Sequence, residues 1–208
     1  MKYFLIHGYG KSLDIREDSI PDNLGFYIFD NEIRNQEAYV FKWAITDHRN
    51  FFSKINLFSQ VNLYHKERDR ISDLFWQQRL FDQMNLNKPE IIICHSMGCK
   101  FFLNTIQKYK LIPSIKKVVF VLADISQEDN LNILLKKEID FINIYCFWDN
   151  ALISSMIINL YKPIGLFGIK KNDDNNLFWK LNYGVNLHQD IWRDDNFKIR
   201  LDELIKNC

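Results

Sequence analysis

The chain is short of the features that would place it outside the ordinary globular class. Only seven of its 208 residues are glycine and four are proline. There is no Pro/Gly/Ser linker, no low-complexity tract, no internal repeat and no Gly-rich phosphate loop. Charge of one sign is also lacking: 27 Lys and Arg are interspersed with 26 Asp and Glu, for a net charge of +1. That balance argues against a nucleic-acid binder with a broad basic face. No run reaches the ~18–20 apolar residues needed to span a bilayer. The longest candidate, residues 151–160, is broken by Ser154, Ser155 and Asn159 and followed by Pro163. The opening Met1-Lys2-Tyr3-Phe4-Leu5-Ile6 is too short an apolar run for a signal peptide, so a cytoplasmic location is expected. The four cysteines, Cys94, Cys99, Cys146 and Cys208, form no metal-type pair. They read as free thiols in a reducing compartment, and neither a metal nor another cofactor is expected.

What is present is a core. Apolar residues make up 47% and aromatics 15% of the chain, enough for one domain over residues 1–208. The most informative stretch is Pro89-Glu90-Ile91-Ile92-Ile93-Cys94-His95-Ser96-Met97-Gly98. Three uninterrupted β-branched residues suit a strand buried on both faces. After Gly98, the residues Cys99, Phe102, Leu103 and Ile106 recur at helical spacing. Ser96 thus falls on a sharp strand-to-helix turn, the geometry that exposes a serine Oγ at the carboxyl edge of a sheet. The plainer alternative is an ordinary βα turn.

Taken in order, residues 3–7 read as a first strand that ends in His7-Gly8-Tyr9-Gly10. Two glycines allow a tight turn that aims backbone N–H groups at a ligand, with Tyr9 N–H as an oxyanion donor; the alternative is an ordinary glycine turn. Residues 25–30 and 39–45 read as further strands, and 47–63 are ambiguous. Residues 66–84 read as one amphipathic helix with Ile71, Leu74, Phe75, Leu80, Phe81 and Met84 near one face, its charged start solvated. Then come a strand at 116–124 ending in Asp124, a short helix at 127–137, a strand at 141–149 ending in Asp149, and a helix at 151–161. Residues 163–187 read as irregular, and a closing helix carries Phe197, Leu201, Leu204 and Ile205. This alternation predicts an α/β fold, a mainly parallel central sheet flanked by helices on both faces. Ligands bind such sheets beyond the carboxyl ends of the strands, where His7-Gly8, Ser96, Asp124 and Asp149 all fall.

A serine nucleophile needs a base, normally a histidine oriented by a carboxylate, and for a serine on this type of turn the chain order is serine, acid, histidine. Of His7, His48, His65, His95 and His188, only His188 follows Ser96. Its ordinary alternative is a surface loop histidine. Asp149 is preferred as the acid, with Asp124 as the alternative. Either could instead be a helix N-cap, Asp124 the more so because Ser126-Gln127-Glu128 follows closely. Met97 N–H and Tyr9 N–H would complete an oxyanion hole. Cys94 and Cys99 flank the serine without occupying its position and read as small buried residues.

With these residues the chain resembles the α/β-hydrolase superfamily of serine esterases, lipases and thioesterases over nearly its whole length. The matching pieces are Tyr3-Phe4-Leu5-Ile6-His7-Gly8, the elbow at Ser96, the strand ending in Asp149, and His188. It is also similar to a little-characterised group of hydrolases of the lipase and esterase kind. That likeness runs through Val40-Phe41-Lys42-Trp43, Phe147-Trp148-Asp149-Asn150-Ala151-Leu152, Pro163-Ile164-Gly165-Leu166-Phe167-Gly168 and His188-Gln189-Asp190-Ile191-Trp192. Two departures are Cys94, where the elbow pattern has glycine, and a start at the oxyanion strand without the first two strands of the larger fold.

The resemblance implies a compact α/β-hydrolase fold without a large cap, because the segment between the strands at 116–123 and 141–147 holds only one short helix. Segments 46–64 or 163–187 are left to cover the site. Phe51, Phe52, Phe58, Phe167, Leu177, Phe178 and Trp179 are left to line an acyl pocket or to pack in the core. The implied activity is cleavage of a carboxylic ester, lipid ester or thioester through an acyl-enzyme, with a small-molecule or lipid ester as substrate. The alternatives are an acyltransferase with the same Ser96, Asp149 and His188, and a catalytically silent binding protein of the same fold. The outer side of residues 151–160 is the candidate for peripheral membrane contact, against buried packing.

Overall fold

Uninterrupted apolar strands joined by helical crossovers can satisfy their backbone only in a parallel sheet covered on both faces, and that is the architecture found. The computed structural model describes residues 1–8, 25–43, 57–135, 139–170, 174–179, 188 and 191–206, without the side chains of 57–60 and 63. The strands are β1 (Tyr3–Ile6), β2 (Ala38–Phe41), β3 (Ile91–His95), β4 (Lys117–Val121), β5 (Asp140–Tyr145) and β6 (Asn176–Phe178). They lie in the order β2-β1-β3-β4-β5-β6, every neighbouring pair parallel. The helices are α1 (Asp30–Arg34), α2 (Leu57–Arg70), α3 (Leu74–Asn87), α4 (Met97–Tyr109), α5 (Asn150–Asn159), α6 (Ile164–Phe167) and α7 (Asp195–Lys206).

The period-two alternation of the strands sorts the core into two layers. Phe4, Ile6, Ile92, Cys94, Val118 and Phe120 point to one face, under Tyr64 of α2, Leu80 and Met84 of α3, and Phe102, Leu103 and Ile106 of α4. Leu5, Ile91, Ile93, Val119 and Val121 point to the other, under Phe26, Phe29, Leu152 of α5, and Phe197, Leu201 and Ile205 of α7. The strand order reverses between β1 and β3. The carboxyl ends of those two strands therefore lie side by side at the switch point, where crevices form in such sheets. Among the described residues no helix is long and apolar enough to cross a membrane.

Several elements depart from the sequence reading. Residues 25–30 are not a strand but a 3-10 turn at Tyr27–Phe29 that runs into α1. Their aromatics serve packing, Phe26 against Trp192 with ring centroids 4.6 Å apart, and not an extended backbone. The expected helix at 66–84 is two helices. Asp73 accepts the Phe75 N–H at 2.8 Å and starts α3 afresh, which leaves Leu74 and Phe75 exposed rather than on the buried stripe. Residues 127–135 form turns in place of a helix, because Asp129 accepts Ser126 N–H and Asn130 accepts Asn132 N–H, and such side-chain bonds compete with helix formation. The segment expected to be irregular contains α6 and β6. Leu177 and Trp179 pack on the core under α7, with the Trp179 ring 5.3 Å from Phe197, while Phe167 and Phe178 are exposed. Phe51 and Phe52, the side chain of Phe58 and Cys208 lie outside the described residues.

Candidate active site

β3 ends at His95 and α4 begins at Met97, so Ser96 alone makes the reversal, with φ 54 and ψ −127. A residue with a β-carbon is disfavoured there by about 1–3 kcal/mol, and the surroundings must hold it. Ser96 N–H donates to Val121 O at 3.1 Å, and Ser96 O accepts the N–H groups of Cys99 at 3.0 Å and Asp124 at 3.2 Å. Two glycines let the backbone close around it. A β-carbon on Gly8 would lie 2.6 Å from Ser96 Cβ, and one on Gly98 would lie 2.4 Å from His7 O. Gly98→Ala is therefore expected to destabilise by about 2 kcal/mol, a melting temperature lower by roughly 4–8 °C for a chain of this size. Calorimetry on this variant checks it, and an unchanged transition would refute the close approach.

The end of β1 is clamped from the neighbouring strand. His7 Nδ1–H donates to Gly8 O at 2.7 Å, and its Nε2 accepts Trp43 N–H at 3.5 Å. The Trp43 indole N–H donates to His7 O at 2.9 Å, and the two rings stack at 5.6 Å. Tyr9, the expected oxyanion donor, lies outside the described residues. Met97 is buried as the first residue of α4, and an N–H at that position has no carbonyl partner within its helix.

His188 and Asp149 are brought together. His188 Nδ1 lies 2.6 Å from Asp149 Oδ2, and both residues are buried. A carboxylate has no proton to give, so Nδ1 carries the hydrogen and donates it, leaving a lone pair on Nε2. Asp149 also caps α5, its Oδ1 accepting Leu152 N–H at 3.0 Å. The capping role and the histidine-holding role, set as alternatives from sequence, are carried by different oxygens of one carboxylate. The His188 ring lies 4.6 Å from that of His95, and Trp192 meets His95 edge-on at 5.5 Å. His188 is thereby seated against the residue that precedes Ser96. Among the described residues no hydrogen bond joins the Ser96 hydroxyl to His188.

Asp124, the alternative acid, has a different environment. Its Oδ2 accepts Tyr64 Oη–H at 2.8 Å, and its Oδ1 accepts Ser155 Oγ–H and Tyr161 Oη–H at 2.6 Å each. Burial, reinforced by the Asp124 carboxylate, pushes the Tyr64 phenol from 10.0 up to about 12, and the Tyr161 phenol is raised as well. Both keep their protons and donate. A phenol with its folded pKa above the unfolded one stabilises the fold fully below about pH 10, and that contribution is lost as pH rises through about 12. Melting temperature is thus expected to fall more steeply above pH 10 in the native chain than in Tyr64→Phe; parallel melting curves from pH 8 upward would overturn it.

The segment after α5 braces these loop ends. Ile164 N–H donates to Ile125 O at 2.8 Å, Gly165 N–H to Ala123 O at 2.9 Å and Cys146 N–H to Gly165 O at 2.9 Å. It ties the loop that carries Asp124 to the one that carries Asp149. Cys94 and Cys99 are fully buried, and burial, together with the Cys99 thiol, pushes the Cys94 thiol well up; such a thiol is inert. Among the described residues no cluster of His, Cys, Asp and Glu is placed to hold a metal ion. Sequence reasoning assigned no part to His95 or to the Tyr64–Asp124–Tyr161 network. Trp43 and Trp192 were visible only as pieces of the narrower family likeness.

No protein-family model matches the chain, and no curated protein matches it. Among solved structures it is similar to an uncharacterized protein from Bacillus cereus ATCC 10987, known from a crystal structure at 2.75 Å resolution. The two are 14% identical with a TM-score of 0.46 over 99% of this chain, which spans 58% of the length of that protein.

Proposed function

We propose that the chain is a serine hydrolase of the α/β-hydrolase type that cleaves a carboxylic ester, lipid ester or thioester. The observation that carries this reading is the strained backbone of Ser96 at the switch point of a parallel sheet, since strain of this kind clusters at active sites and Ser96 lies where such sheets bind ligands. The His188–Asp149 pair, seated on His95 beside it, supplies a base in the required tautomer. In this mechanism Ser96 Oγ attacks the carbonyl carbon while His188 Nε2 takes its proton, and Asp149 stabilises the imidazolium. The N–H groups of Met97 and Tyr9 receive the oxyanion. Collapse expels the alcohol or thiol, protonated by His188. Water, deprotonated by the same nitrogen, then releases the acid and restores Ser96. An acyltransferase would differ only in the final acceptor, and product analysis with and without added alcohols or amines separates the two. A fluorophosphonate probe tests the reading: the native chain is expected to be labelled and Ser96→Ala to remain unlabelled. A folded native chain that resists the probe would overturn it.

A further inference from the structure

We propose that a cavity of about 190 Å³ beside the first turns of α4 binds an uncharged, hydroxylated part of the substrate, a polyol or sugar moiety. The proposal deepens the serine-hydrolase reading and rests on it for the substrate being an ester. Met97, the residue after the serine, lines the cavity together with Lys100 and Asn104 further along the same helix. Arg68 of α2 and Asp124 and Asp129 after β4 line it too, and the remaining wall is a mix of hydroxyl-bearing and apolar side chains. Its volume is that of roughly six water molecules. That is small beside the ~300–1,000 Å³ of sites for larger organic ligands, and it suits a compact polar group.

The lining decides the chemistry. The charged lining residues are two cations, Arg68, which also donates to Asn159, and Lys100, and two carboxylates, Asp124 and Asp129, so formal charge cancels. An anionic ligand would meet the carboxylates and a cationic one the guanidinium and ammonium groups. An alkyl chain would strip water from these groups without replacing its hydrogen bonds. A hydroxyl both donates and accepts, and the wall offers both capacities. Lys100 Nζ gives Asp129 Oδ1 one bond at 2.6 Å and has three hydrogens. Asn104 spends one Nδ2 hydrogen on Ile71 O at 3.3 Å and lines the same space, keeping an amide oxygen that can accept. Ser126 Oγ accepts Glu128 N–H at 3.2 Å and keeps its own hydrogen to donate. Asp124, only 5% exposed, is held by three hydroxyls and can accept a further bond. Asp124 and the Lys100–Asp129 pair are thus held before a ligand arrives, which lowers the ordering cost of binding.

The test is a panel of esters with matched acyl groups: methyl butyrate, glycerol monobutyrate and glucose monobutyrate, with methyl gluconate for hydroxyls on the acid side. At least one hydroxylated ester is expected to exceed methyl butyrate by about tenfold or more in kcat/KM. Lys100→Met and Asn104→Leu should each cut that ratio by about tenfold, the worth of a hydrogen bond to a charged or buried polar group. The second substitution changes no charge, so a folding defect in the first does not decide the matter. No preference, a preference that survives both substitutions, or a stronger preference for monomethyl succinate or butyrylcholine would each overturn the proposal. If no ester is cleaved and the fluorophosphonate probe fails, the hydrolase reading falls, and the cavity is then read by saturation-transfer NMR with glucose and glycerol. A signal in the native chain that disappears in both variants upholds the site, and its absence from the native chain overturns it.

Discussion

Ser96→Gly is expected to abolish turnover and to raise the melting temperature. Under the proposed mechanism the loss of activity follows from the missing nucleophile, a fall in kcat of about 10⁴-fold or more. The gain in stability follows from the backbone: φ 54 with ψ −127 is a conformation that glycine enters freely and serine does not. Relief of about 1–3 kcal/mol of strain, less about 0.5–1 kcal/mol for the freer unfolded chain, leaves a net gain near 1 kcal/mol. For a chain of this size that is roughly 2–4 °C. Ser96→Ala keeps the β-carbon and is expected to lose turnover without the rise, so the pair of variants separates the hydroxyl from the strain. Calorimetry and ester hydrolysis on all three proteins give the answer. A glycine variant that melts below the native chain, or an alanine variant that still turns over, would remove the basis for placing the chemistry at this turn. A position at which the active residue is the less stable choice is the trade-off expected of a functional site.

The sequence disclosed those parts of the fold whose local chemistry and tertiary role agree. The runs Ile91-Ile92-Ile93 and Val118-Val119-Phe120-Val121 are buried on both faces in the central strands, so an unbroken apolar pattern had one sensible reading. Chain order pointed to His188 and left Asp124 and Asp149 both open; the place of Asp149 at the end of the second strand after the serine turn favoured it, and its side chain is the one bonded to His188. Where one residue type serves two structures, the reading failed. The aromatics at 26–29 pack against Trp192 from a 3-10 turn. β6 is three residues at the sheet edge, too short for any periodicity to register. Asp124 was weighed as a cap or a triad acid because both are local or motif-based roles. Its actual partners Tyr64 and Tyr161 stand 60 and 37 residues away, and nothing near Asp124 in the chain announces them. The same distance hid the cavity, whose walls come from α2, α4 and the loop after β4.

Asp149→Asn and Asp149→Ala are expected to part company, and the difference exposes the double use of this carboxylate. Asparagine retains an oxygen where Oδ1 accepts Leu152 N–H, and it is as good a cap as aspartate. The melting temperature should therefore hardly move. In place of Oδ2, however, it presents an N–H₂ to His188 Nδ1. The ring must then accept at Nδ1 and carry its hydrogen on Nε2, which is the wrong tautomer for a base, and kcat is expected to fall by about 10⁴-fold. Alanine removes both acceptors. It forfeits about 1 kcal/mol of capping at Leu152 N–H and leaves the His188 donor buried without its partner, at about 1–3 kcal/mol. Activity and roughly 5–10 °C of melting temperature should be lost together. Steady-state kinetics on the preferred ester, run beside calorimetry, distinguishes the outcomes. An Asp149→Asn enzyme within about tenfold of native activity would mean that His188 is oriented by something else. Loss of activity in Asp124→Asn alone would then move the acid role to Asp124, and the three hydroxyls on that carboxylate would have to be read as the way it is aimed.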